Sequence, residues 1–191
     1  IQTLRYTVEA KDRYTRGHSD RVSEFSVLIG KHMGLSEKDL KTLKIGGLFH
    51  DIGKIGIPDS ILLKEGKLDD NEYSEIKNHP SIGKHILSNA SIFADIIPIV
   101  YHHHEKYNGT GYPEQLAGEQ IPFLARIAAV ADTFDAMTSK RSYRNAIPIE
   151  YVRAEIEKCS GTQFDPEIAK VFLDILDNHY DEILEIQNKY N

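Results

Sequence analysis

The chain has a single cysteine, Cys159, among its 191 residues, so no internal disulfide can form and the expected compartment is a reducing cytoplasm. Also missing is any apolar run near the roughly 20 residues that a membrane span requires. Cations are in deficit: 23 Lys and Arg against 29 Asp and Glu leave a formal net charge of -6. That balance argues against a general attraction to polymeric nucleic acid or anionic lipid. Any anionic substrate must then be drawn by a local cluster. No internal repeat, low-complexity tract or interdomain linker is visible, and no convincing alternation of apolar and polar residues marks a strand. There is no initiator Met and no signal-peptide pattern. The opening IQTLRYTVEAKDRYTRGH reads as a helix already under way, and the expectation is a fragment of a longer protein.

What remains is an ordinary globular composition, 40% hydrophobic and 27% charged, long enough for one domain with a sizeable core. Apolar residues recur at helical spacing, as in Val22, Phe25, Ile29 and Met33, and again in Leu40, Leu43, Gly47 and Leu48. Gly34 reads as a helix stop, and Ser36 with Asp39 as a start. Asp69 with Glu72 repeats the start signal, Pro122 opens another segment, and Pro166 occupies a favoured first helical position. The expected fold is all-α, a single domain over residues 1–191 with about seven helices. Two stretches break the helical pattern: GKIGIPDSILLKEGK, and KYNGTGYPEQLAGEQ from Lys106 to Gln120. The second directly follows three histidines and is expected to cover a site.

The segment LFHDIGKIGIP, Leu48 to Pro58, sets His50, Asp51 and Lys54 among apolar neighbours, where unpaired charge is costly to bury. A bound metal would offset that cost. Adjacent helical residues project about 100° apart, so His50 and Asp51 serve one centre only if Asp51 bridges or the metals lie near the seam between them. Lys54, three residues beyond Asp51, can reach a phosphate oxygen beside it. A bare His-Asp pair is common at surfaces and caps, but this one has company. His18 precedes it, His79 lies before Pro80, histidines end an apolar helix at YHHHEK, and Asp132 interrupts ARIAAVADTFDAM. Each has an ordinary alternative, such as an Asp132–Arg126 pair. Together they offer more nitrogen and oxygen donors than one tetrahedral metal needs, without thiolate, which suits two ions such as iron, manganese or zinc. The three residues His102 to His104 cannot all point one way, so one is a bystander. Asp135, one turn past Asp132, is placed to orient a ligand or touch substrate. His32, His85 and His179 read as surface or packing residues.

The stretches DRYTRGHSDRV, LFHDIGKIGIPDSILLKEGKL, NHPSIGKHIL, HHEKYNGTGYP and IPFLARIAAVADTFDAMTSKRSYR together resemble the HD-GYP branch of the HD phosphohydrolase superfamily. The match runs in order from about Asp12 to Arg144, with a further likeness at GTQFDPEI. The resemblance implies an HD-type helical bundle with the GYP loop extended over the metal site. It implies metal ligands at His18, His50, Asp51, His79, His103, His104 and Asp132, leaving His102 as the bystander. Asp51 and Lys54 become the catalytic pair. Gly111, Tyr112 and Pro113 form the GYP element, with Tyr112 bordering guanine, and Arg141 and Arg144 match basic positions that hold substrate phosphates; Asp135 stays a spacing-based candidate for the substrate side. Two departures stand out: Asn108 where many relatives carry Asp, and Tyr14 four residues before His18, where members with a third metal carry Glu. Two divalent ions, iron or manganese, are therefore favoured over three.

The activity implied is hydrolysis of cyclic di-GMP to pGpG, and onward to GMP, by attack of a metal-bridging hydroxide. A different cyclic nucleotide as substrate is one alternative. A non-catalytic sensor that docks on a partner such as a diguanylate cyclase is another. An N-terminal sensory region is the expected regulatory partner.

Overall fold

The structure, a computed structural model, describes Lys11, residues 17–139 and residues 147–190. It is helical, and no strand occurs among the described residues. The helices are α1 (His18–His32), α2 (Glu37–Phe49), α3 (Asp59–Leu62), α4 (Asp70–Ile76), α5 (His79–Leu87), α6 (Ile97–His102), α7 (Phe123–Thr138), α8 (Ile149–Cys159), α9 (Pro166–Asn178) and α10 (Tyr180–Lys189), with 3-10 turns at Ile52–Gly56, Ser91–Ile96 and Gly118–Gln120. Among the described residues, α1, α2, α5, α7, α8, α9 and α10 reach nine residues or more, which agrees with the expectation of about seven helices.

Local chemistry sets the boundaries. The Ser36 hydroxyl accepts from the Asp39 amide at 3.2 Å, and Asp69 with Glu72 forms a reciprocal capping box, so both start signals read from sequence operate as side-chain caps. Asp165 accepts from the amide of Glu167 at 2.8 Å, with Pro166 opening α9. Helix α1 ends just before Gly34, whose φ of 72° is the left-handed conformation that turns the chain out of a helix.

Helix α7 is the hub. Its Phe134 ring packs edge-to-face on Phe25 of α1 at 5.0 Å and on Phe172 of α9 at 4.9 Å, geometries that favour the aromatic quadrupoles. Ile127 and Val130 extend this core toward Ile29, Leu43, Ile99, Val152, Ile156 and Ile168. A second, smaller core of Phe49, Ile52, Leu87, Ile96 and Val100 joins the end of α2 to α5 and α6. Between the two lie the His-Asp pair and its partners. The turn after Asp51 is drawn onto α5 because Gly53 has no side chain: a Cβ there would collide with the His79 carbonyl and stand 2.6 Å from the Gly83 amide nitrogen. Among the described residues, no helix is long and apolar enough to cross a membrane.

Truncating Phe134 to Ala removes the ring shared by three helices and should cost about 3–5 kcal/mol of stability, read as a lower midpoint in denaturant unfolding with helical content retained in the folded baseline.

Candidate metal centre

Five helices and one turn deliver the polar cluster. His18 opens α1, His50 caps the end of α2, Asp51 leads into the 3-10 turn, and His79 opens α5. His103 and His104 follow α6, and Asp132 lies within α7. All seven residues converge in two groups able to hold a metal ion: Asp51, His79, His103 and His104 in one, and His18, His50 and Asp132 in the other. In each group the donor atoms lie within 4.8 Å of one another.

Asp51 stands between the groups. Its Oδ1 is 3.3 Å from His79 Nε2, while its Oδ2 is 3.3 Å from His50 Nε2 and 3.8 Å from His18 Nε2. Asp132 Oδ1 lies 3.3 Å from His18 Nε2 and 3.8 Å from His50 Nε2. The alternative pairing of Asp132 with Arg126 does not occur; Arg126 binds Asp165 at the start of α9 instead.

The histidines are oriented from behind. Nδ1 of His50 donates to the Gly47 carbonyl at 2.7 Å, that of His79 to Ile76 at 2.7 Å, and that of His103 to Val100 at 2.9 Å. Each bond reaches back three residues and fixes the tautomer, leaving Nε2 as an unprotonated donor aimed inward. Burial, followed by the charge of neighbouring histidines, holds His103 well below the ordinary imidazole range. The same causes push His104 down to about 3. These rings therefore stay neutral, as metal ligands must. Yet His79 Nε2 and His103 Nε2 face each other at 3.4 Å, and His50 Nε2 is buried without a hydrogen-bond partner. Lone pairs gathered in this way call for a cation, so the residues present fit a metal site.

His18 differs. Burial lowers its pKa, but hydrogen bonds to Asp132 and Asp135 outweigh burial and raise it to about 9. Burial likewise opposes ionisation of Asp51, and Lys54 and His50 overcome it, holding that carboxyl well below its usual range. Lys54 Nζ lies 2.8 Å from Asp51 Oδ2, on the side expected from its spacing.

Of the two roles left open for Asp135, orienting a ligand or touching substrate, its contacts favour the first. It is 1% exposed, and its carboxylate accepts from His18 Nδ1 at 2.7 Å, Arg21 Nε at 2.6 Å, Arg21 Nη2 at 3.1 Å and Ser139 Oγ at 3.1 Å. Both oxygens are engaged, so Asp135 sits behind His18 and orients it. Spacing had put it on the right helical face without revealing its depth.

The loop after the histidines is held by Glu105, 3% exposed, which accepts from the amides of Glu114 at 2.7 Å and Leu116 at 3.1 Å. Glu105 was not singled out from sequence, although its place beside the histidines and before a long loop was visible. Gly111 is required for close approach: a Cβ there would collide with the Lys106 amide and stand 2.5 Å from Glu105 Cα. Tyr112 stacks on His104, with ring centroids 4.8 Å apart and planes 27° apart; Pro113 follows it, half-buried. One face of the Tyr112 ring is thus taken by a histidine of the cluster. Asn108 accepts from the Thr110 amide at 3.1 Å and hydroxyl at 2.7 Å, so it closes a turn without needing the charge of Asp. His102 points away, 3.9 Å from both Glu105 and Glu114, and belongs to neither donor group. Arg141, Arg144 and Tyr14 lie outside the described residues.

A helical bundle enclosing a buried histidine–aspartate cluster able to hold metal defines the class. A family model described as "HD domain" matches residues 2–168. The chain belongs to the HD domain family, and the resemblance to its HD-GYP branch read from the sequence holds. It is 42% identical over 175 residues to a cyclic di-GMP phosphodiesterase of Thermotoga maritima, covering 91% of this chain and 48% of that protein. It is 38% identical over 185 residues to a 3'3'-cGAMP-specific phosphodiesterase of Vibrio cholerae, covering 95% of this chain and 40% of that one. The chain thus spans less than half the length of these curated relatives. An HD domain of the Listeria monocytogenes phosphodiesterase PgpH, solved with cyclic-di-AMP, shares the fold with a TM-score of 0.68 at 18% identity, covering 99% of this chain and 97% of that one. A Bdellovibrio bacteriovorus HDG"Y"P protein has a TM-score of 0.70 at 22% identity, covering 84% and 52%.

Replacing Asp135 with Asn keeps the shape but removes the charge behind His18. Metal retention should weaken roughly 10- to 100-fold, measured by equilibrium dialysis against a competing chelator, with the unfolding midpoint recorded alongside.

Proposed function

We propose that the chain hydrolyses a phosphodiester bond of cyclic di-GMP to give pGpG, with a second cut to GMP left to the product analysis below. The observation that carries this reading is the division of the Asp51 oxygens between two donor groups, the arrangement expected of a bridging carboxylate in a pair of ions. His18, His50 and Asp132 would hold one divalent ion, and His79, His103 and His104 the other, with iron or manganese suited to the nitrogen and oxygen donors. Bound there, the ions supply Lewis-acid activation of water and offset charge on the phosphoryl oxygens.

The chain's own residues bind and position. Lys54, tethered at 2.8 Å to Asp51, presents an ammonium to a phosphate oxygen or to the leaving 3′ oxygen, where it favours developing negative charge. Tyr112, backed by His104, borders the base, and the loop pinned by Glu105 keeps it over the cluster. Arg141 and Arg144 add cations for the second phosphate. In an acidic chain such local charge is needed for a dianionic substrate. A regulatory region or a diguanylate cyclase is the partner this reading anticipates.

The related 3'3'-cGAMP-specific enzyme from Vibrio cholerae supports a second substrate, cyclic GMP-AMP. Anaerobically prepared, metal-replete protein given cyclic di-GMP, cyclic GMP-AMP or mononucleotides in parallel, with products separated by chromatography, distinguishes the two. The expected result is pGpG from cyclic di-GMP, lost on chelation of the metals. Tight binding of cyclic di-GMP without turnover would replace the reading with that of a sensor. The Asp51→Ala variant should lose turnover and metal together, and unchanged hydrolysis would overturn the assignment.

A further inference from the structure

At the other end of α1, far from the cluster, three more donors meet. His32, the last residue of α1, His179, between α9 and α10, and Glu182, in the first turn of α10, form a group whose donor atoms all lie within 4.8 Å of one another. His32 Nε2 is 3.0 Å from Glu182 Oε1, and His179 Nδ1 is 3.5 Å from the same oxygen. The two imidazole rings stand edge-to-face with centroids 4.7 Å apart.

We propose that His32, His179 and Glu182 form a second, accessory site for a first-row transition dication, zinc foremost, clamping α10 to α1. Two imidazoles and one carboxylate are a sufficient protein donor set, with water completing the shell. Metal–ligand bonds of about 2.0–2.2 Å in a tetrahedral arrangement place neighbouring donor atoms about 3.3–3.6 Å apart; the His179 separation falls in that range and the His32 separation needs to open by a few tenths of an ångström. The three side chains are partly exposed, with 22%, 44% and 41% of their surfaces accessible, so an ion can enter without unfolding.

The packing of α10 explains how the donors come together. It runs antiparallel along α1: its start meets His32, while at its far end the Tyr190 carbonyl accepts from Arg21 Nη1 at 3.0 Å and the Tyr190 hydroxyl lies 3.1 Å from Glu24 Oε1. Fourteen helical steps of 1.5 Å separate His18 from His32 by about 21 Å. The accessory ion would therefore be independent of the proposed catalytic ions, and the inference does not rest on the enzymatic reading. Its effect is mechanical, because it cross-links two helices of which one carries a residue of the main cluster.

The test uses zinc alone as probe. The full chain and its His32→Gln, His179→Gln and Glu182→Gln variants are dialysed to equilibrium against buffered zinc, and bound metal is counted by elemental analysis. Each variant should bind one equivalent fewer than the parent. In a His79→Ala background, zinc should still raise the thermal midpoint, and adding His179→Gln should abolish most of that rise. Equal zinc content in the parent and all three variants would overturn the proposal. So would a zinc-induced midpoint shift that His179→Gln leaves unchanged.

Discussion

Neutral imidazoles dominate this molecule's physics. Three histidines of the main cluster give their Nδ1 protons to backbone carbonyls three residues earlier, and that single repeated bond decides what faces the interior. It leaves Nε2 lone pairs pointed at one another and at carboxylates, in a space burial has made inhospitable to protons. Left to themselves, such donors repel or stand unsatisfied. The surrounding helices hold them in place nonetheless, through the core centred on Phe134 and the smaller one around Phe49 and Val100.

Support for the cluster is layered. Asp135 steadies His18, Arg21 neutralises Asp135, and Tyr190 and Ser139 take two further guanidinium donors. Breaking such a buried chain at Arg21 would strand a carboxylate charge, which costs far more than the pair contributes. On the other side, Glu105 does for the loop what a cap does for a helix, taking up amides that would otherwise lack partners. The loop's position over His104 therefore depends on a residue that belongs to neither donor group.

Sequence spacing carried the helical class, because capping residues such as Ser36, Asp69 and Asp165 act locally and need no tertiary information. It also flagged the seven side chains that converge, since a charge amid apolar neighbours must find a partner. Depth was harder to read. A position on a helix face does not say whether a carboxylate looks into a cleft or into the core, which is why spacing alone left Asp135 between orienting a ligand and touching substrate. Donors brought together only by the fold were invisible: His32 and Glu182 are separated by 150 positions, and no periodicity links them. Among the three consecutive histidines, local geometry excluded one without naming it; the turn after α6 sends His102 toward Glu114.

The hydrogen bond from Arg21 to the Tyr190 carbonyl puts the end of α10 in direct mechanical communication with the polar chain behind His18. A load on the end of α10 would be felt at that anchor.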